Sequence, residues 1–563
     1  MNRRDLFKTF INKSEYSANL KDFNSKSATT SLGLGSGFNA YSGTWGYSQA
    51  RHLLNRAMFG PTHNQILQAV QDGLSGTLTK LFQTTSEPIP PINYNFSNDP
   101  ACPVGQSWVN AVFNPLITDL DSSRRISLAA WQIGLLLNEG VSIREKMTLF
   151  WYNHFVTETV FDSRVVYNNI KLYRQNALGN FKDFTKKVTI DPCMLRYLNG
   201  NQNTKKAPNE NYARELLELF TIGKGPLVAP GDYSTFTEKD VEEMAKILTG
   251  WVDFTNESDP TTKVSSIFLS VNHNTETKTL SHRFNNTQIP NAGSQEYANL
   301  IDVIFQQPEV AKFISRKLYR WFVYYAIDDT IEQNVIQPMA DLLIQSDFEI
   351  KPVVEALLKS EHFFDSEISG CMIKSPTDYL IGSLKMFSLP LPTSGDYVKQ
   401  YKTWETIFGY CYVLQQAYFF APNVAGWKPY YQSPSYYQLW INSVTLPIRI
   451  RIMEALTTVG APINGVTYKV DVIKLAKLSS DPTDPTVLIN DIATILYPRV
   501  LSAAQKVFLK KVLLPNGLPD YIWTALWADY TNNPNDPTKL APVEQLLRGL
   551  LYTMCDFSEF QLS

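Results

Sequence analysis

A mainly α-helical fold, one large multi-helix globular domain with an irregular insertion, is what this sequence predicts. Three observations predict it. From Ser48 onward the apolar residues keep a helical spacing. Helix starts and stops punctuate that spacing, with Thr or Pro opening segments and Gly closing them. Over residues 252–290 the period breaks, and Val, Ile, Phe and Leu alternate with polar residues, the pattern of a short hairpin.

The elements follow in order. Residues 1–46 read as a degenerate leader and an extended polar arm, because 13–45 are rich in Ser, Asn, Gly and Lys without periodicity. Arg3, Arg4 and Lys8 resemble a twin-arginine export leader, but the apolar run that should follow is polar. A helix then ends at Gly60-Pro61, and Thr62 with Gln65 forms the capping box of the next. Residues 84–106, full of Pro and Asn, form a loop, and helices are predicted over 123–138 and 142–158, with one or two more over 165–190. A helix over 207–223 has Pro208 in its first turn and Gly223 as its left-handed stop. Thr237 to Asp240 cap the next, which Gly250 ends. After the insertion, helices resume at 294–306, 308–327, 331–345, 351–363, 374–388 and 397–418, and a Pro- and aromatic-rich loop occupies 421–436. The family-like core is expected to span 47–460, with 461–563 as a helical extension packed on it.

Composition excludes several classes. A net charge of -2 removes the electrostatic case for nucleic acid. No apolar run reaches membrane-spanning length. The five cysteines are scattered and form no C-x-x-C, so neither a zinc knuckle nor a redox motif is indicated. Neither G-x-S-x-G, a P-loop, H-E-x-x-H nor a strand-borne G-x-G-x-x-G is present.

The helix over 207–223 concentrates polar groups. Ala213, Leu216, Leu217 and Phe220 share one arc, and Glu210, Asn211, Arg214, Glu215 and Glu218 fill the other. Such a face is either solvated or a cluster in which carboxylates bind a hard cation or supply a base.

Several further segments accompany that helix: His52-Leu53-Leu54 to Phe59-Gly60-Pro61-Thr62, Arg144 to Phe155, and Asp240 to Trp251. With them come His273-Asn274 to Leu280, Phe313 to Val323, and Pro422 to Trp427. In this order the chain resembles the bacterial family known as domain of unknown function 1800, from about residue 48 to beyond 450. The resemblance implies export and a sulfatase-like companion protein. Two departures remove potential ligands: Tyr152 stands where the family usually has His, and Asn274 where it often has Asp.

Candidate chemistry rests on few side chains. His154 lies on an apolar face, either as a core histidine or, with Glu158 at i+4, pointing into a polar pocket. His273 lies in the insertion. Were they to converge, His154, Glu215 and His273 would offer two imidazoles and a carboxylate to a divalent metal ion. Glu215 then serves as catalytic base or ligand, and Arg214 as an anion-binding group. Lys317 and Arg320 either pair with the acidic face of 210–218 or bind an anion. Trp427, Tyr430 and Tyr431 form either loop packing or a stacking platform for sugars.

Three functions follow from these residues. The first is a non-enzymatic assembly or partner-binding component, exported to the periplasm or cell surface and working with the sulfatase-like companion. The second is a metal-dependent hydrolase with its site near the 207–223 helix, and the third a glycan-binding protein. A cytoplasmic location is the alternative to export.

Overall fold

Capping decides where many of the helices begin. Thr62 and Gln65 exchange the two hydrogen bonds of a capping box, and Thr237 does the same with Asp240. The computed structural model describes residues 37–563, except 159, 256–262, 393–394 and 428–439. The leader and most of the arm fall outside these residues.

In chain order the core helices begin with α1 (Tyr47–Ala57), α2 (His63–Leu81), α3 (Leu120–Asn138) and α4 (Arg144–His154). Then come α5 (Ser163–Gln175), α6 (Phe181–Thr189), α7 (Pro192–Tyr197) and α8 (Glu210–Glu215), which runs on into a π-helical turn, Leu216–Thr221. They continue as α9 (Glu238–Ile247), α10 (Glu296–Ile304), α11 (Pro308–Phe322), α12 (Gln337–Gln345), α13 (Ile350–Lys359), α14 (Pro376–Met386), α15 (Tyr397–Val413) and α16 (Thr445–Thr457). The remaining helices are α17 (Val472–Ala476), α18 (Pro485–Leu496), α19 (Ala503–Leu513), α20 (Asp520–Asn532) and α21 (Pro537–Asp556). The fold is mainly α, as the periodicity predicts.

The described strands form antiparallel two-stranded pairs. The insertion contains β3 (Trp251–Phe254) against β4 (Ser265–Phe268), and β5 (Lys278–Thr279) against β6 (Gln288–Ile289). Two pairs lie outside it: β1 (Leu227–Ala229) with β2 (Asp232–Tyr233), and β7 (Ala461–Ile463) with β8 (Val466–Tyr468). Strands of two or three residues are too short to display alternation. The second pair nevertheless carries a readable signal, Asn464-Gly465, whose positive φ values of 50° and 78° suit a two-residue hairpin turn.

Helix α4 stops at His154, four residues before the predicted end, because Phe155 turns out of helical geometry at φ -106° and ψ 65°. His154 and Glu158 therefore do not share a helical face.

The core is aromatic. Trp151, with no exposed surface, stacks on Phe155 and Phe181 at 6.0 and 5.5 Å and meets Phe184 edge-on at 5.2 Å. Helix α15 packs along α3, where a Cβ on Gly134 would lie 2.8 Å from the Trp404 ring, so only glycine permits this approach. The C-terminal residues are tied down by backbone bonds: Lys374 N–H donates to Gln561 O and Ser563 N–H to Met372 O, both at 2.8 Å.

Candidate functional site

Helix α8 starts at Glu210, two residues after Pro208, so the proline lies before the helix and not in its first turn. Asn209 is the N-cap, its side chain accepting from Asn211 N–H at 2.9 Å, and Pro208 precedes it. Gly223 adopts the left-handed conformation expected of it, with φ 76°. Between them the π-helical turn lets the N–H groups of Ile222 and Gly223 both donate to Leu217 O, at 3.2 and 2.8 Å. Tyr212, Ala213, Leu216, Leu217 and Phe220 are buried.

The polar arc joins α8 to α9 by ion pairs. Arg214 forks onto Glu238 at 3.1 and 2.8 Å and also binds Glu210 at 3.1 Å. Glu218 lies 3.8 Å from Arg214 and 2.9 Å from Lys224. Arg214 is about a third exposed, at 31%, so each pair contributes only ~0.2–1 kcal/mol. Asn211 is exposed. The Glu215 carboxyl is half-buried, and burial followed by the charge of Glu218 raises its pKa. The Tyr197 hydroxyl is raised by burial and then by Glu158 and Glu215, so these two carboxylates act on one phenol.

His154 is a buried core histidine. Its Nε2 bonds Phe220 O at 3.0 Å, and Lys317 Nζ donates to its Nδ1 at 2.9 Å. That geometry requires a neutral imidazole with the proton on Nε2. Burial and the Lys317 charge accordingly push its pKa well below the usual histidine range. Lys317 Nζ donates also to Leu219 O at 3.0 Å and lies 5.0 Å from the Phe313 ring centroid. Both side chains thus serve carbonyls of the α8 turn, and Lys317 does not reach its acidic arc.

The Lys317 ammonium is pushed down to about 7 by burial and then by Arg320. In the unfolded chain it titrates near ~10.4. Between these values the unfolded chain holds the extra proton, so stability rises with pH across that window and is lost again towards pH 7. Lys317→Met should flatten this rise in urea-unfolding free energies measured from pH 7 to 10.

His273, also buried, is equally committed. Its Nδ1 lies 2.9 Å from Thr249 O and its Nε2 3.0 Å from Glu296 Oε2. Glu296 also pairs with Lys278, and both of those side chains are wholly buried. No group of three or more His, Cys, Asp or Glu side chains able to hold a metal occurs among the described residues. The structure therefore does not assemble His154, Glu215 and His273 as a ligand set.

Trp427 is buried, and Asn153 holds it. The Asn153 side chain donates Nδ2–H to Trp427 O at 2.9 Å and accepts from Trp427 N–H at 2.6 Å. Tyr430 and Tyr431 lie outside the described residues. Arg320, whose Nε donates to Tyr325 O at 3.2 Å, lines one cavity with Trp427, Arg56 and Lys146. The last two went unnoticed in the sequence. Each is a cation among buried residues of its helix: Glu145 through Tyr152 are all buried on α4, and Arg56 stands beside buried Leu53, Leu54 and Ala57 on α1.

The segments meeting here come from distant parts of the chain. A family model described as "Protein of unknown function (DUF1800)" matches residues 52–562. Neither the curated proteins nor the solved structures contain a match. With that match running from α1 through α21, the chain belongs to the DUF1800 family.

Proposed function

We propose that this protein is a non-catalytic, partner-binding component, exported and working with the sulfatase-like companion that its family resemblance implies. One observation carries the reading: the two candidate ligand imidazoles and the candidate anion-binding guanidinium are already spent on the protein's own architecture. Both ring nitrogens of His154 and both of His273 have protein partners. Arg214, nominated to bind an anion, is forked onto Glu238. Displacing such contacts to seat a metal would break buried hydrogen bonds, each worth ~0.5–1.5 kcal/mol net and more where a charge is left alone. Among the described residues no helix is long and apolar enough to cross a membrane.

The test is reconstitution. Purified chain mixed with the sulfatase-like companion should elute as one complex by size exclusion with light scattering, with or without chelator. Elemental analysis of the same sample should give well under one metal per chain. No complex at micromolar concentration, or stoichiometric metal lost on Glu215→Ala, would return the site to the hydrolase reading.

A further inference from the structure

Two adjoining cavities lie where α1, α4, α11 and α14 meet. They share Asn55, Asp378 and Ser563 in their walls. Arg51 and Lys374 line the first; Arg56, Lys146 and Arg320 line the second. Among the wall side chains, five cations stand against one carboxylate, Asp378.

That carboxylate is already used. Asp378 pairs with Lys146 and accepts from Ser375 Oγ at 2.8 Å. Three of the other cations are met by carbonyl oxygens: Arg56 by Ile368 O at 3.2 Å, Lys374 by Phe560 O at 2.9 Å and Arg51 by Thr494 O. Carbonyls satisfy donors without themselves supplying a counter-charge, and burying charge on such partners is expensive. Burial accordingly pulls Arg51 down to about 10, and burial with the neighbouring Arg449 pulls Lys374 down to about 8. In addition, two buried donors on the second cavity's wall, Arg56 Nε and Trp321 Nε1, have no acceptor among the described residues.

We propose that this pair of cavities binds the acid group of a small anionic ligand, a sulfate or a carboxylate. Guanidinium groups recognise such oxyanions by paired N–H donors, and the unfilled Arg56 and Trp321 donors supply the positions. Size sets the limit. The second cavity encloses about 50 Å³ and the first about 30 Å³. At roughly 10–15 Å³ per water, this is room for a handful of waters, hence for an acid group and not for a whole sugar ring. The buried Trp427 and Trp440 give the second cavity its apolar wall, and the ligand's body would lie outside it.

The experiment is calorimetric titration of the full chain at constant ionic strength in chloride. The probes are sodium sulfate, sodium acetate, glucuronate, N-acetylglucosamine 6-sulfate and, as neutral control, methyl glucoside. Binding of the anions but not of methyl glucoside is expected, weakened tenfold or more by Arg56→Gln. Arg320→Gln, at a half-buried position and checked for folding by circular dichroism, should weaken it severalfold. Preference for the acidic sugars identifies a saccharide source; equal binding of inorganic sulfate identifies a free anion, and both uphold the site. No anion binding by the folded wild type, equal binding of methyl glucoside, or binding unchanged in Arg320→Gln and in folded Arg56→Gln would overturn it.

Discussion

Gly426→Ala should lower the stability of this protein by about 2–4 kcal/mol, combining left-handed backbone strain with overpacking. Gly426 sits at φ 75°, and a Cβ there would fall 2.3 Å from Asn153 Oδ1 and 2.5 Å from Asn153 O. The carbonyl belongs to the last turn of α4 and cannot rotate away. Relief would require breaking the two hydrogen bonds by which Asn153 clamps Trp427. Urea unfolding measures the loss. Gly140→Ala is the control, because nothing lies within 4 Å of a Cβ there. A loss below ~0.5 kcal/mol at Gly426, the scale of a neutral surface substitution, would mean that the clamp is not rigid.

The second large effect is expected at Lys278. Lys278→Met leaves Glu296 buried, with its Oε1 partner gone and, among the described residues, His273 and the Ala292 N–H, at 3.2 Å, still serving Oε2. Removing one partner of a buried pair typically costs ~3–5 kcal/mol. Adding Glu296→Gln removes the orphaned charge while keeping the shape, so the double variant should recover part of the loss. A double-mutant cycle in urea decides it. If the two substitutions simply add, the pair is not coupled and the buried-charge account fails.

Local chemistry was legible in the sequence and long-range geometry was not. The boxes Thr62–Gln65 and Thr237–Asp240, and the stops Gly60, Gly223 and Gly250, are written in adjacent residues and formed as read. Helix α4 ends four residues before the apolar pattern predicts, because Phe155 and Val156 continue that pattern while tertiary packing terminates the helix. The π-helical turn in α8 has no local signature, since its residues are ordinary helix formers. For the candidate site, the reading of His154 as a core histidine was available from its apolar face, whereas the partnership with Lys317 joins α4 to α11 across the fold. The cationic cavities were the least legible feature. Their wall residues are single charges in separate helices, each unremarkable until the packing brings them together.

Walls that join Asn55 to Ser563 have a kinetic meaning. Contacts so distant along the chain form only after a large loop-closure entropy has been met, which slows their formation. On a ribosome, α1 emerges long before the segment that seals it, so the cluster of like charges waits in water while the intervening helices fold. Its electrostatic penalty falls due when those distant segments close on it. A chain that has not yet closed there would keep those cations hydrated and the cavity unmade.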